Sequence, residues 1–137
     1  MAVLSHASGA ALAAAWDALG DKPDFHLVRG PETGLVMVRG RAGGGGAPFN
    51  LGEATVTRAT VKLATGEVGH SYALGRDGEK ARIAAALDAL WQRDAHRPAV
   101  EALLAALRET ADAADTQRRE ETAATRVNFF TMVRGDD

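Results

Sequence analysis

Four successive glycines separate two apolar runs and fix where this chain can fold back on itself. They occupy Gly43 to Gly46, after the run Gly34–Arg39 and before the run Ala54–Leu63. A glycine run loses much backbone entropy on folding and has no side chain to bury. A connection that only reverses the chain does not need one. The stretch Arg39–Arg58 is therefore either a loop with a function or a spacer.

Polar side chains surround these glycines. Successive glycine N–H groups can curl into a nest that binds an anion, and arginine makes bidentate contacts with phosphate. The stretch is neither a P-loop, since no Gly-Lys-Ser/Thr follows, nor a dinucleotide fingerprint, since it joins strand to strand. Two functions of this stretch are left open, namely substrate binding and contact with a partner protein. The candidate residues are Arg39, Arg41, Gly43, Gly44, Gly45, Gly46, Asn50, Glu53, Thr55, Thr57 and Arg58.

The candidate for chemistry within this stretch is Glu53. It could act as a general base if it were buried near the glycines. The preferred interpretation is structural, in which Glu53 holds Arg58 or Arg41 in place. Along the predicted strand Ala54–Leu63, the side chains on the same face as Glu53 are polar near the glycines and apolar farther away. That gradient fits either a strand end that lines a site or one that emerges into solvent.

Composition excludes several functions. The 137 residues predict one domain over residues 1–137. The absence of cysteine removes disulfides, thiolate-held clusters and a cysteine nucleophile, and it fits a cytoplasmic location. The net charge of −2 gives no general attraction to nucleic acid or to an anionic membrane surface. No apolar run is long enough to span a bilayer, and the histidines have no metal-ligand spacing.

Hydrophobic periodicity predicts an α+β fold, with a small antiparallel sheet (a hairpin plus a C-terminal strand) packed with about three helices. Two glycine or proline positions are expected to end elements, Gly20 and Pro31. Thr65-Gly66 is expected to close a two-residue hairpin. The predicted helices cover residues 4–19, a segment capped by Asp77, and a segment that begins at Arg97-Pro98. The predicted strands are Phe25–Arg29, Gly34–Arg39, Ala54–Leu63, Glu67–Leu74 and Thr125–Gly135.

Two further patterns concern packing. The small residues Gly69, Ser71 and Ala73 share one face of a predicted strand, which would let a helix approach closely. The C-terminal segment is apolar on both faces and needs cover. We therefore predict a partner interface there, formed by Phe129, Phe130, Met132 and Arg134.

Four stretches together resemble a known family. They are Pro31–Leu63, Gly69–Asp77, Leu87–Leu90 and Thr125–Asp136. In this order and spacing they resemble PhnG, the G subunit of the bacterial phosphonate carbon–phosphorus lyase system. The resemblance covers nearly the whole chain and is most specific in the glycine stretch and in the final FFTMVRG. The family often has a proline where this chain reads Ala105-Ala106-Leu107, so a helix break at that point is left open.

The resemblance implies a cytoplasmic subunit of alpha-D-ribose 1-methylphosphonate 5-triphosphate synthase. In such a system the G subunit joins H, I and J subunits in a core complex of paired copies. With the I, H and L subunits it takes part in transfer of the ribose triphosphate moiety of ATP to an alkylphosphonate, with displacement of adenine. ATP and alkylphosphonate are then substrates of the complex, and this chain binds no cofactor. Two alternatives are an architectural subunit without catalytic residues and a stand-alone homodimeric binding domain.

Overall fold

A computed structural model describes residues 1–126 as a three-stranded sheet with helices. The elements in chain order are α1 (Ala2–His6), α2 (Gly9–Ala18), β1 (Phe25–Arg41), β2 (Pro48–Leu63), β3 (Val68–Leu74), α3 (Gly78–Trp91) and α4 (Arg97–Ala124). The strands are antiparallel in the order β1-β2-β3. The predicted α+β class with an antiparallel sheet is confirmed. The third strand is β1, whereas most of the predicted strand Thr125–Gly135 lies outside the described residues.

The core forms where α3 lies on one face of the sheet, called here the helix side. The helix begins at the Asp77 cap, whose carboxylate accepts a hydrogen bond from the Lys80 N–H at 2.8 Å. The small strand residues let α3 approach, as predicted, and the Ser71 hydroxyl donates to the Ala81 carbonyl at 2.6 Å. The other strand facing α3 contributes the largest buried side chains of the sheet, Val61 and Leu63.

The N-terminal helix predicted over residues 4–19 is two helices. The backbone breaks at Ala7, and Ser8 starts α2 by accepting a hydrogen bond from the Ala11 N–H at 3.1 Å. The predicted left-handed stop at Gly20 is wrong, because α2 ends in an extended Leu19 with φ −69° and ψ 119°. Hydroxyl capping of the second helix therefore competes successfully with continuation of the first.

A single strand of 17 residues, β1, replaces the two that were predicted. Pro31 does not end it, because β1 lies at the sheet edge and its register shifts on both sides of Arg29, before Glu32. A proline that donates no hydrogen bond is tolerated at such a position. The compact apolar run Gly34–Arg39 is typical of a buried strand. That expectation is wrong, since Leu35 is 62% exposed and Met37 is 53% exposed.

The connection between β2 and β3 is longer than predicted. Residues 64–67, not two residues, join the two strands. The helix α4 continues through Ala105–Leu107 without a break, with Pro98 in its first turn. Its last buried side chain is Val100, so most of its 28 residues lie at the surface. None of the described helices combines the length and apolar character needed to cross a membrane.

Candidate functional site

The distal halves of β1 and β2 form a two-stranded ribbon that extends past β3. Following β2 from the core toward the glycine turn, Val56 is the last residue that pairs with β3, and it lies opposite Leu74. From that point to the turn only β1 and β2 remain paired, ending at Arg41 opposite Pro48. We call Gly34–Arg41 together with Pro48–Thr55 the ribbon. The polar stretch singled out in the sequence is therefore mostly strand, with a short turn at its end.

The turn at the end of the ribbon, residues 42–47, needs glycine at two positions. Gly43 has φ 58° and Gly44 has φ 79°, both in the left-handed region that favours glycine. The turn is closed by a hydrogen bond from the Gly46 N–H to the Ala42 carbonyl at 3.0 Å. The Arg41 guanidinium donates to the Gly46 carbonyl at 3.1 Å. Two of the four glycines thus serve the backbone of a tight turn.

A shallow depression lies beside this turn. Its volume is about 480 Å³, and it is lined by Arg39, Gly40, Arg41, Gly44 and Pro48. Arg39 and Arg41 are two residues apart on one strand, so their side chains leave the same face. Neither arginine forms an ion pair with any residue in 1–126. The depression therefore presents two guanidinium groups that no carboxylate of residues 1–126 pairs with, beside Gly40 and Gly44.

Five of the sequence candidates share the helix side of the ribbon. In the β1–β2 register, Asn50 lies opposite Arg39 and Glu53 lies opposite Met37. Residues directly opposite one another in an antiparallel pair point to the same face. The polar face assembled by this register contains Arg39, Arg41, Asn50, Glu53 and Thr55. This face is the exposed continuation of the face that packs on α3.

Thr57 and Arg58 do not belong to this group. Thr57 is buried, and its hydroxyl donates to the Gly75 carbonyl at 2.7 Å and lies 3.0 Å from the Thr33 hydroxyl. It therefore holds β1, β2 and the end of β3 together. Arg58 points to the outer side and lies eight residues along β2 from Asn50, which is roughly 26 Å at strand spacing. Arg58, a candidate of the same stretch in the sequence, is therefore far from Arg39 and Arg41.

An ion cluster missed by the sequence reasoning lies on the outer side. Glu32 accepts a hydrogen bond from Arg58 Nη2 at 3.0 Å and from Arg29 Nε at 3.1 Å. The hydrogen bonds from Arg29 and then Arg58 hold the pKa of the Glu32 carboxyl below its ordinary value of 4.5. The signal available in the sequence was only the Arg29–Glu32 spacing. The cross-strand partner depends on a register that shifts near Pro31.

The side chain of the catalytic candidate Glu53 is exposed and forms no ion pair with residues 1–126. The interpretation that it holds Arg58 or Arg41 is wrong, because Glu32 pairs with Arg58 and a backbone carbonyl binds Arg41. Across the described part of the chain, no group of three or more acidic or histidine side chains could hold a metal ion. The predicted partner interface of Phe129, Phe130, Met132 and Arg134 lies outside the described residues.

Comparison with known proteins assigns the family. The family description "Phosphonate metabolism protein PhnG" matches residues 1–135. The chain belongs to the PhnG family. A relative from Rhizobium meliloti (strain 1021), the alpha-D-ribose 1-methylphosphonate 5-triphosphate synthase subunit PhnG, is 62% identical over 137 residues. The match covers all of this chain and 88% of that relative. The resemblance drawn from the four stretches is confirmed, and it connects this PhnG-family chain with phosphonate metabolism.

Proposed function

We propose that this chain is a cytoplasmic subunit of the carbon–phosphorus lyase core complex. With I, H and L subunits it takes part in transfer of the ribose triphosphate moiety of ATP to an alkylphosphonate, with displacement of adenine. The core complex also contains the J subunit. Family membership along nearly the full chain supports this proposal, as does the name of the Rhizobium meliloti relative, a subunit of the synthase.

The observation that carries the proposal is the pair of arginines beside the ribbon turn. Arg39 and Arg41 lack ion-pair partners among residues 1–126 and border a depression floored by glycine. Both the triphosphate of ATP and a phosphonate are anionic groups that guanidinium binds through charge-assisted hydrogen bonds. The ribbon carries this depression away from the helix-covered core. In our proposal the turn contacts the substrates directly at a site completed by a neighbouring subunit.

A purely architectural role is the second candidate. It is favoured by the position of Glu53, which is exposed and forms no ion pair with residues 1–126. In that case the chain would position other subunits and contribute no group to the reaction. A third candidate, the stand-alone homodimer, predicts that the isolated chain has twice the monomer mass of 14.3 kDa in solution.

The first prediction tests the turn within the assembled complex. Arg39→Ala and Arg41→Ala should each lower the rate of adenine release from ATP and methylphosphonate by about tenfold or more, since hydrogen bonds to charged groups contribute roughly 1.5–3 kcal/mol. Glu53→Gln should also lower the rate if Glu53 takes part. Gel filtration should show that all three variants still assemble with the other subunits.

The matched control is Arg58→Ala, which removes a guanidinium from the outer side of the same strand pair. That variant should retain most of the rate. Full activity in Arg39→Ala, Arg41→Ala and Glu53→Gln would reject the substrate-contact role. It would leave the architectural role in place if the complex still required this chain for assembly.

A further inference from the structure

The two edges of the sheet are treated differently by the rest of the chain. On the β3 edge, Asp88 accepts a hydrogen bond from the His70 N–H at 3.0 Å. On the same edge, Gln92 Nε2 donates to the Val68 carbonyl at 2.7 Å. Both side chains come from α3 or the residue that follows it. These two caps occupy outward backbone groups at the Val68–His70 end of β3 and hinder another strand from pairing there.

Within the described residues, the β1 edge has no such caps along the ribbon. The Gly75 N–H donates to the Thr55 carbonyl, so Thr55 points its backbone groups toward β3. Backbone direction alternates along a strand, so Ala54 points toward β1 and its partner Val36 points back. Leu35 and Met37 must therefore direct their N–H and C=O groups outward from the sheet. No hydrogen bond from residues 1–126 reaches those groups.

The side chains beside this edge are apolar on both faces of the ribbon. Leu35 and Met37 lie on the helix side and are more than half exposed. Val38 and Phe49 lie on the outer side, where they are 40% and 47% exposed. A two-stranded ribbon is at most marginally stable by itself in water, and contiguous exposed apolar surface marks an interaction site. Residues 1–126 thus leave a strand edge with apolar flanks uncovered.

The properties of this edge specify what can cover it. Outward N–H and C=O groups at alternate residues are satisfied together only by an extended backbone. Apolar ribbon side chains above and below require an incoming strand with apolar side chains on both faces. Arg39 and Arg41, at the turn end of the edge, add a preference for carboxylate side chains at that end of the incoming strand.

We propose that residues 33–39 of β1 pair with an extended strand supplied by another subunit of the synthase. This strand extends the sheet from three strands to four and carries apolar residues on both faces, with an acidic residue near Arg39 or Arg41. The inference depends on the proposed function for the identity of the partner. It adds the surface, the mode of binding and the chemistry of the segment that is bound.

The second prediction is a pattern of amide protection with a period of two residues. Hydrogen exchange resolved to single residues should be measured for the isolated full-length chain and for the chain co-purified with its partner subunits. Leu35 and Met37 should exchange at least about 100-fold more slowly in the complex, because their N–H groups gain hydrogen bonds. Val36 and Val38 should be protected in both samples, because their N–H groups already face β2.

Substitutions test the same contact through the yield of the complex. Met37→Pro removes one outward N–H and should lower the yield of co-purified partner by roughly tenfold or more, whereas Met37→Ala keeps the N–H and should lower it much less. Asp88→Ala uncaps the opposite edge and should leave the yield unchanged. The exchange pattern decides the matter if Met37→Pro fails to fold.

Each other outcome rejects the inference in a distinguishable way. Unchanged exchange of Leu35 and Met37 in an assembled complex rejects strand addition and leaves the proposed function intact. Protection already present in the isolated chain would assign the edge to the chain's own C-terminal segment if it is independent of concentration, or to a second copy if it rises with concentration. Failure of the unmodified chain to join the other subunits rejects both the inference and the proposed function.

Discussion

A close approach between the sheet and α3 depends on one residue, Gly69. A β-carbon built at this position would overlap the Ala85 carbonyl oxygen and the Ala89 nitrogen, which are backbone atoms of α3. Neither atom can move without displacing the helix. The neighbouring small residues Ser71 and Ala73 are buried in the same contact. Sequence reasoning could find this position because a row of small side chains on one strand face is itself a sign of close packing.

The third prediction is that Gly69→Ala destabilises the fold. Forcing a methyl group into a packed contact costs roughly 1–3 kcal/mol, and the free energy of unfolding should fall by that amount in a urea titration. Gly34→Ala is the matched control, because a β-carbon at Gly34 meets no atom within 4 Å. Equal stability of the two variants would mean that β3 and α3 are not packed as described.

At the scale of elements, composition and periodicity located the helices and strands better than their ends. Asp77 and Pro98 were found because capping and first-turn preferences are local. Pro31 was misread because its effect depends on whether β1 lies at a sheet edge, and that is a property of the whole sheet. The same dependence on register hid Glu32 as the partner of Arg58. It also led to the wrong interpretation that Glu53 holds Arg58 or Arg41 in place.

The fourth prediction concerns Glu32, which ties β1 to β2 beside the register shift. The pKa of its carboxyl is lowered in the folded chain, so its contribution to stability is present above about pH 4.5 and is lost as the pH falls through the lowered value. Glu32→Gln should therefore be less stable than the unmodified chain at pH 7, and this difference should shrink in acid. Thermal unfolding midpoints between pH 7 and pH 3 provide the measurement.

Glu53→Gln serves as the control for this titration, because Glu53 forms no ion pair with the described residues. The difference in unfolding midpoint between Glu53→Gln and the unmodified chain should not shrink in acid as that of Glu32→Gln does. If the stability gap of Glu32→Gln were the same at pH 7 and pH 3, the two arginine contacts would not be energetically significant in solution.

At the scale of the molecule, the buried core occupies only part of the chain. The core contains side chains from Leu4 to Val100, while the ribbon and the second half of α4 extend from it. A helix of 28 residues is about 42 Å long, so α4 carries its C-terminal end far from its first turn. Sequence alone could not show that β1 and β2 extend beyond the core.

The fifth prediction addresses the segment that follows α4. Ending the chain after Arg126 removes Phe129, Phe130, Met132 and Arg134 and leaves every buried residue of the described core in the chain. The isolated truncated chain should therefore keep its unfolding midpoint. It should no longer co-purify with the other synthase subunits, because loss of two aromatic anchors commonly removes several kcal/mol of binding.

Two variants separate the aromatic contribution from that of the last charges. Phe129→Ser combined with Phe130→Ser should reproduce the loss of co-purification, whereas removal of Asp136 and Asp137 alone should not. Normal assembly of the chain truncated after Arg126 would show that the segment is not a partner interface. In that event the β1 edge and the ribbon turn would remain the surfaces proposed for binding, and they can be tested in the same truncated chain.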